Sequence, residues 1–219
     1  MPCVRTSASR GCTGDSDTIS EGFDRLYDRA RCALEKRLNE YRFLHSISVA
    51  DTAVMMAARY GVDVDKARIA GLLHDWDKNL GDEELFARAR EFGIEPHDNY
   101  EDLGVLLHAQ TGAIAVQRAF PELADDVIQA IARHTSAASD MTDLDMIIYV
   151  ADMIEPLRSR ENLMPLRAMV GKVPLETLFF KSYEMSMEHL LRRHRFVHPD
   201  SVGVWNAYVT RERSGMPGD

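Results

Sequence analysis

The stretch Ala70-Gly71-Leu72-Leu73-His74-Asp75-Trp76-Asp77-Lys78 ends an apolar run on two adjacent polar residues, and nothing else in the chain constrains its fold as strongly. A carboxylate carried inward on the end of an apolar segment loses its hydration, at a cost of several kcal/mol unless a cation or donors replace the water. Any fold built around this segment must bring other polar groups to it. His45 and Asp152 are the candidates, because each also stands in an apolar stretch. Two neutral imidazoles and two carboxylates suit iron, manganese, cobalt or zinc, and leave positions open for water and substrate.

The surrounding pattern is helical almost throughout. Glu21 to Asn39 carries Phe23, Leu26, Tyr27, Ala30, Leu34 and Leu38 at helical spacing. Arg42 to Tyr60 follows, with Gly61 as its stop. Asp63 or Asp65 can cap a helix reaching about Lys78, and Asp82 can cap the next, to Phe92. Residues 96–102 read as a polar connector. Further helices are predicted over Leu103 to Ala119, Pro121 to Thr135 and Thr142 to Leu157. A long one is predicted from Pro174 to about Arg195, and a short one after His198-Pro199. Met146 to Ile154 is β-branched enough to be a buried strand, but Leu144, Ile147, Ile148, Ala151 and Glu155 share one helical face with Asp152 at its edge.

The expected fold is therefore all-α, a single helical domain over residues 21–211. A flexible extension is expected at 1–20 and a tail at 212–219. In it, His45 faces inward near a helix start, and His74 and Asp75, about 100° apart around their axis, lean toward one point. Ala67, Ala70 and Gly71 on that side let a neighbouring helix come close.

Composition narrows the function. Apolar residues make up 45% and charged residues 28% of 219, which is globular, and no apolar run approaches the roughly 18 residues a membrane span needs. A net charge of -9 argues against nucleic acid or anionic lipid as a partner, and means an anionic substrate needs a locally basic pocket. Cys3, Cys12 and Cys32 form no CxxC pair, which points to a reducing, cytoplasmic setting rather than a disulfide framework.

The ordered set His45, His74-Asp75, Asp152 resembles the HD superfamily of metal-dependent phosphohydrolases. The flanking segments Arg42-Phe43-Leu44-His45-Ser46, His134-Thr135 and Ile147 to Arg158 are similar to the YqeK family of symmetrical bis(5'-nucleosyl)-tetraphosphatases, across roughly Tyr41 to Asn206. The resemblance implies an HD-type helical bundle and an iron held by His45, His74, Asp75 and Asp152. It implies cleavage of diadenosine tetraphosphate to two ADP by metal-activated water. Nucleotide contacts would fall on Arg42, His45, Trp76, Asp77, Lys78, His108, His134, Arg158, Arg195 and His198, with Asp75, Lys78, His108 and His134 in catalysis. Some HD enzymes instead use the positions of His108 and His134 for a second metal, and both arrangements stay open.

The chain departs from that family at three places. Ser136-Ala137-Ala138 stands where Thr-Gly-Arg is usual, Asp77 where a small uncharged residue is, and Ser159 to Leu163 lacks a Phe-Pro-Gly pattern. The alternatives are an HD nucleotidase with another substrate and a non-catalytic nucleotide-binding domain. Leu175, Leu178, Phe179, Met187, Leu190 and Leu191 could cover the core or pair with a second copy of the chain.

Overall fold

The computed structural model describes residues 16–95, 104–159 and 161–215, and among them there is no strand. The helices are α1 (Ser16–Glu35), α2 (Glu40–Tyr60), α3 (Val64–Leu73), α4 (Asp82–Glu91), α5 (Leu107–Ala119), α6 (Asp125–Arg133), α7 (Asp143–Ile154), α8 (Met164–Met169), α9 (Leu175–Arg192) and α10 (Ser201–Gly215). One-turn 3-10 helices at Gly104–Leu106 and Glu161–Leu163 lead into α5 and α8.

The centre of the bundle is α2, α3, α6 and α7. α3 packs along α2 and against α6 and α7, and α1 closes the outside of α3. The α2–α3 contact is the tightest: a Cβ on Gly71 would lie 2.9 Å from Ala50 Cα and 3.2 Å from the Val49 carbonyl oxygen. Glycine lets the two backbones meet at the level of the His-Asp pair. Over α7 lies α9, whose Leu178, Phe179, Phe180 and Tyr183 are buried. α10 packs on it through Phe179–Tyr208 and Phe180–Trp205 ring pairs, centroids 4.9 and 5.2 Å apart. The helix predicted as either core cover or dimer surface thus covers the core, leaving Leu191 exposed.

Local chemistry accounts for the boundaries. Asn39 caps α2 by accepting the Arg42 N–H at 3.0 Å, and Gly61, at φ 72°, ends it. Asp63 rather than Asp65 caps α3, accepting from Asp65 and Lys66 N–H. Thr142 and Asp145 cap α7 reciprocally, and the Met146 to Ile154 run is helical.

Several predicted limits shift. α3 stops at Leu73 instead of reaching Lys78, and the Gly71 carbonyl in its last turn accepts from the His74 ring. Three tight turns follow: Trp76 N–H to Leu73 O, Lys78 N–H to Asp75 O and Leu80 N–H to Asp77 O. Gly81, not Asp82, precedes α4, with its N–H donated to Glu84. Pro121 lies in a turn before α6, and α8 and the length of α10 were not foreseen. α1 starts at Ser16, inside the stretch expected to be an extension. α9 ends at Arg192, where His194 takes a left-handed φ of 50° and Arg195 N–H reaches back to Leu190 O. That reversal returns Arg195 and His198 toward the bundle. The 96–102 connector falls outside the described residues.

Candidate metal centre

Four histidines converge at one end of the bundle, each held by its Nδ1. His74 Nδ1 is 2.8 Å from Gly71 O, His134 Nδ1 is 2.7 Å from Ile131 O, and His108 Nδ1 meets Val105 O. In each pair the carbonyl lies three residues back and can only accept, so Nδ1 carries the proton and Nε2 presents a lone pair. His45 is fixed differently, by Glu155 Oε1 at 3.0 Å from its Nδ1. Glu155 is fully buried and also accepts the Leu157 N–H at 2.6 Å.

The Nε2 atoms and two carboxylates meet inside this ring. His45 Nε2 lies 3.0 Å from Asp152 Oδ1, and His74 Nε2 lies 3.8 Å from the same oxygen. Asp75 divides its oxygens: Oδ2 faces His74 at 3.6 Å and His45 at 4.0 Å, while Oδ1 faces His108 at 3.1 Å and His134 at 3.6 Å. His74 Nε2 is buried with no hydrogen-bond partner. Ligand atoms of His45, His74 and Asp152, and of His74, Asp75 and His134, lie within 4.8 Å of one another. An orphaned imidazole nitrogen facing two carboxylates fits a divalent metal, which would repay its desolvation.

The charges follow from this crowding. Burial drives His74 down to about 4, so its ring is neutral at physiological pH. Burial also lowers His108 and Lys78, and neighbouring Asp75 only partly offsets it. Burial opposes His45 too, but its bonds to Asp152 and Glu155 prevail and raise it. For Asp75 and Asp152 burial would raise the carboxyls. His74, His108, His134 and Lys78 outweigh it for Asp75, and His45 and Arg158 for Asp152, so both are held well below the usual carboxylate range. Arg158 donates to Asp152 Oδ1, so the sequence alternative of an Asp152–Arg158 pair is present within the cluster itself.

A groove crosses the centre. On one side a cavity of about 320 Å³ is lined by Tyr41, Arg42, His45, Asp75, Lys78, Asp152 and Arg158. On the other, one of about 390 Å³ shares Asp152 and Arg158 and adds Leu106, His134, Thr135, Tyr149 and Leu190. It continues into a third that reaches Arg195 and His198. Despite the net charge of -9, the groove carries Arg42, Lys78, Arg158 and Arg195, the basic lining that an anionic substrate needs.

Two predicted substrate contacts are elsewhere. Asp77 has no exposed surface and its Oδ1 accepts from Arg37 at 2.9 Å and Arg88 at 2.6 Å. The sharp turn after Asp75 sends it away from the groove. Trp76 is also buried, edge-on to Phe120 at 5.8 Å and beneath the Arg37 guanidinium at 4.5 Å. The other predicted residues line the groove or the centre. Missed were Glu155, whose signal was its place three residues after Asp152 in an apolar helix, and Tyr149 and His189 on the groove wall. Nothing in the local sequence sets His189 apart.

Comparison with known proteins agrees with this geometry. Residues 42–157 match the HD domain. A Bacillus subtilis protein named symmetrical bis(5'-nucleosyl)-tetraphosphatase is 32% identical over 84% of this chain and 97% of its own length. One of the same name from Staphylococcus aureus is 27% identical over 83% and 93%. The crystal structure of a Clostridium acetobutylicum protein, described as a predicted HD superfamily hydrolase involved in NAD metabolism, superposes with a TM-score of 0.80 at 33% identity, covering 84% of this chain and 97% of that one. No helix among the described residues is long and apolar enough to cross a membrane. With its donors arranged around an orphaned imidazole nitrogen, and with these relatives matching along nearly their whole length, the chain belongs to the HD-domain family of metal-dependent phosphohydrolases.

Proposed function

We propose that the protein hydrolyses dinucleoside polyphosphates, cleaving diadenosine tetraphosphate to two ADP, with iron as the resident metal and manganese, cobalt or zinc as substitutes. One observation carries the reading: the donor cluster sits in the middle of a basic groove that extends to both sides of it. A substrate with a nucleoside at each end and phosphates between matches that layout, and relatives with the corresponding name match over most of the chain.

His45, His74, Asp75 and Asp152 would hold the metal, which supplies the Lewis acidity that makes water nucleophilic near neutral pH. The protein's remaining task is positioning and charge compensation, since a phosphoanhydride is already activated for departure. Arg42 and Arg158 meet the phosphate oxygens as bidentate donors. Lys78 and His108, 3.0 Å apart, lie where the departing diphosphate develops its charge. Tyr41 and Leu157 on one side, and Tyr149, Leu106 and Leu190 on the other, provide surfaces for the nucleosides.

Purified protein loaded with iron or manganese and given diadenosine tetraphosphate should yield ADP alone. AMP plus ATP would sink the symmetrical assignment. Because Ser136-Ala137-Ala138 supplies no cation, mononucleotides belong in the same assay: faster turnover of those would identify a nucleotidase, and binding without turnover a non-catalytic domain.

A further inference from the structure

The centre has two halves that differ in how their nitrogens are satisfied. In the half made by His45, His74 and Asp152, the His74 Nε2 is buried and unpartnered. In the other half, Asp75 Oδ1, His108 Nε2 and His134 Nε2 form a triangle with sides of 3.1, 3.2 and 3.6 Å. Both imidazoles spend their Nδ1 proton on backbone carbonyls, so in the neutral rings the triangle consists of two lone pairs and a carboxylate oxygen. Such a group is self-repelling without a cation. The Lys78 Nζ is the cation at hand: it lies over the His108 ring, 3.0 Å from Nε2 and 3.4 Å from Nδ1, and 3.8 Å from Asp75 Oδ1. It is mostly enclosed, with 25% of its side chain exposed, and the turn from Asp75 to Lys78 delivers it there.

We propose that the Lys78 ammonium is the built-in second cation of the centre: it serves the triangle of Asp75 Oδ1, His108 Nε2 and His134 Nε2 and thereby restricts the chain to one metal ion. Three donors at these separations could otherwise hold a divalent ion bridged through Asp75 to the first. With the ammonium beside His108 and Asp75, that ion would meet a like charge in a mostly enclosed site where solvent screens it little. The inference rests on the metal assignment above and is independent of the substrate.

Equilibrium dialysis with Mn2+ tests it. The wild-type protein should bind one equivalent tightly. Lys78→Met, close in volume and uncharged, should bind two, with the second at least about 100-fold tighter than in wild type and an exchange-coupled dinuclear electron paramagnetic resonance signal. Lys78→Arg, which keeps the charge, should stay at one, and Lys78→Met with His108→Ala should return to one. A wild-type protein that takes two equivalents of similar affinity, or a folded Lys78→Met that takes one, overturns the proposal. If neither protein binds Mn2+, the metal assignment itself fails, and this inference with it.

Discussion

Arg37 and Asp77 are joined across 2.9 Å, from guanidinium NH2 to carboxylate Oδ1, and Arg88 reaches the same oxygen at 2.6 Å. The loop after α1 and the helix α4 are thereby tied to the residue two places beyond Asp75. Removing either arginine leaves Asp77 one partner, whereas removing both strands a buried carboxylate. Arg37→Ala and Arg88→Ala should each cost about 1 kcal/mol, and the double variant clearly more than their sum. Urea unfolding measures this, and strictly additive costs would refute the shared bridge.

Gly71→Ala places a methyl 2.9 Å from Ala50 Cα. Backbone cannot yield as a side-chain end does, so α2 and α3 must separate, at about 1–3 kcal/mol. Because His45 and His74 lie on either side of this contact, metal affinity should fall with stability. Calorimetric titration of the folded variant checks it; wild-type affinity alongside lowered stability would uncouple the contact from the centre.

Ala137 holds a left-handed φ of 61°, its N–H bonded to Arg133 O at 3.0 Å. A Cβ is disfavoured there. Ala137→Gly should raise stability by about 0.5–1 kcal/mol, the relief of strain exceeding glycine's unfolded-state entropy. An unchanged or lower melting temperature would contradict this.

Glu155→Gln should weaken metal binding by about 10- to 100-fold while the helical content stays the same. The carboxylate that orients His45 and raises its basicity becomes a neutral amide. Retained affinity would mean that α2 packing alone aims the ring.

His74 titrates near 4 in the fold, against 6.5 when exposed. As pH falls below 6.5 the unfolded chain takes up this proton before the folded one. Metal-free protein therefore loses stability between about pH 6.5 and 4, by about 3 kcal/mol from this residue, and no more below that. His74→Gln should flatten the slope in this window. Equal slopes in denaturant unfolding of the two proteins would rule it out.

Much of this was legible in the chain because the relevant signals are local. Periodicity located the helices, Asn39, Asp63 and Thr142 marked their starts, and a His-Asp pair on an apolar run required partners. Trp76 and Asp77 were expected at the nucleotide because the resemblance places contacts there, and the helix was expected to run on to Lys78. The helix instead ends at Leu73, and the tight turns that follow carry both residues into the core. Arg37 and Arg88, far apart in sequence from each other, show no trace of the pairing that accommodates Asp77. Glu155 was visible as part of an apolar face but not as a ligand's support, since its partner sits on another helix.

The Nδ1 anchors on Gly71, Val105 and Ile131 have a further consequence. These rings take their tautomer and aim from the backbone, so the order that a metal ion would otherwise impose is present before it arrives. An ion then enters a receptacle that need not rearrange, and one ion can replace another at small conformational cost. Selection among divalent ions then rests on how well each fits donors whose positions the backbone has already set.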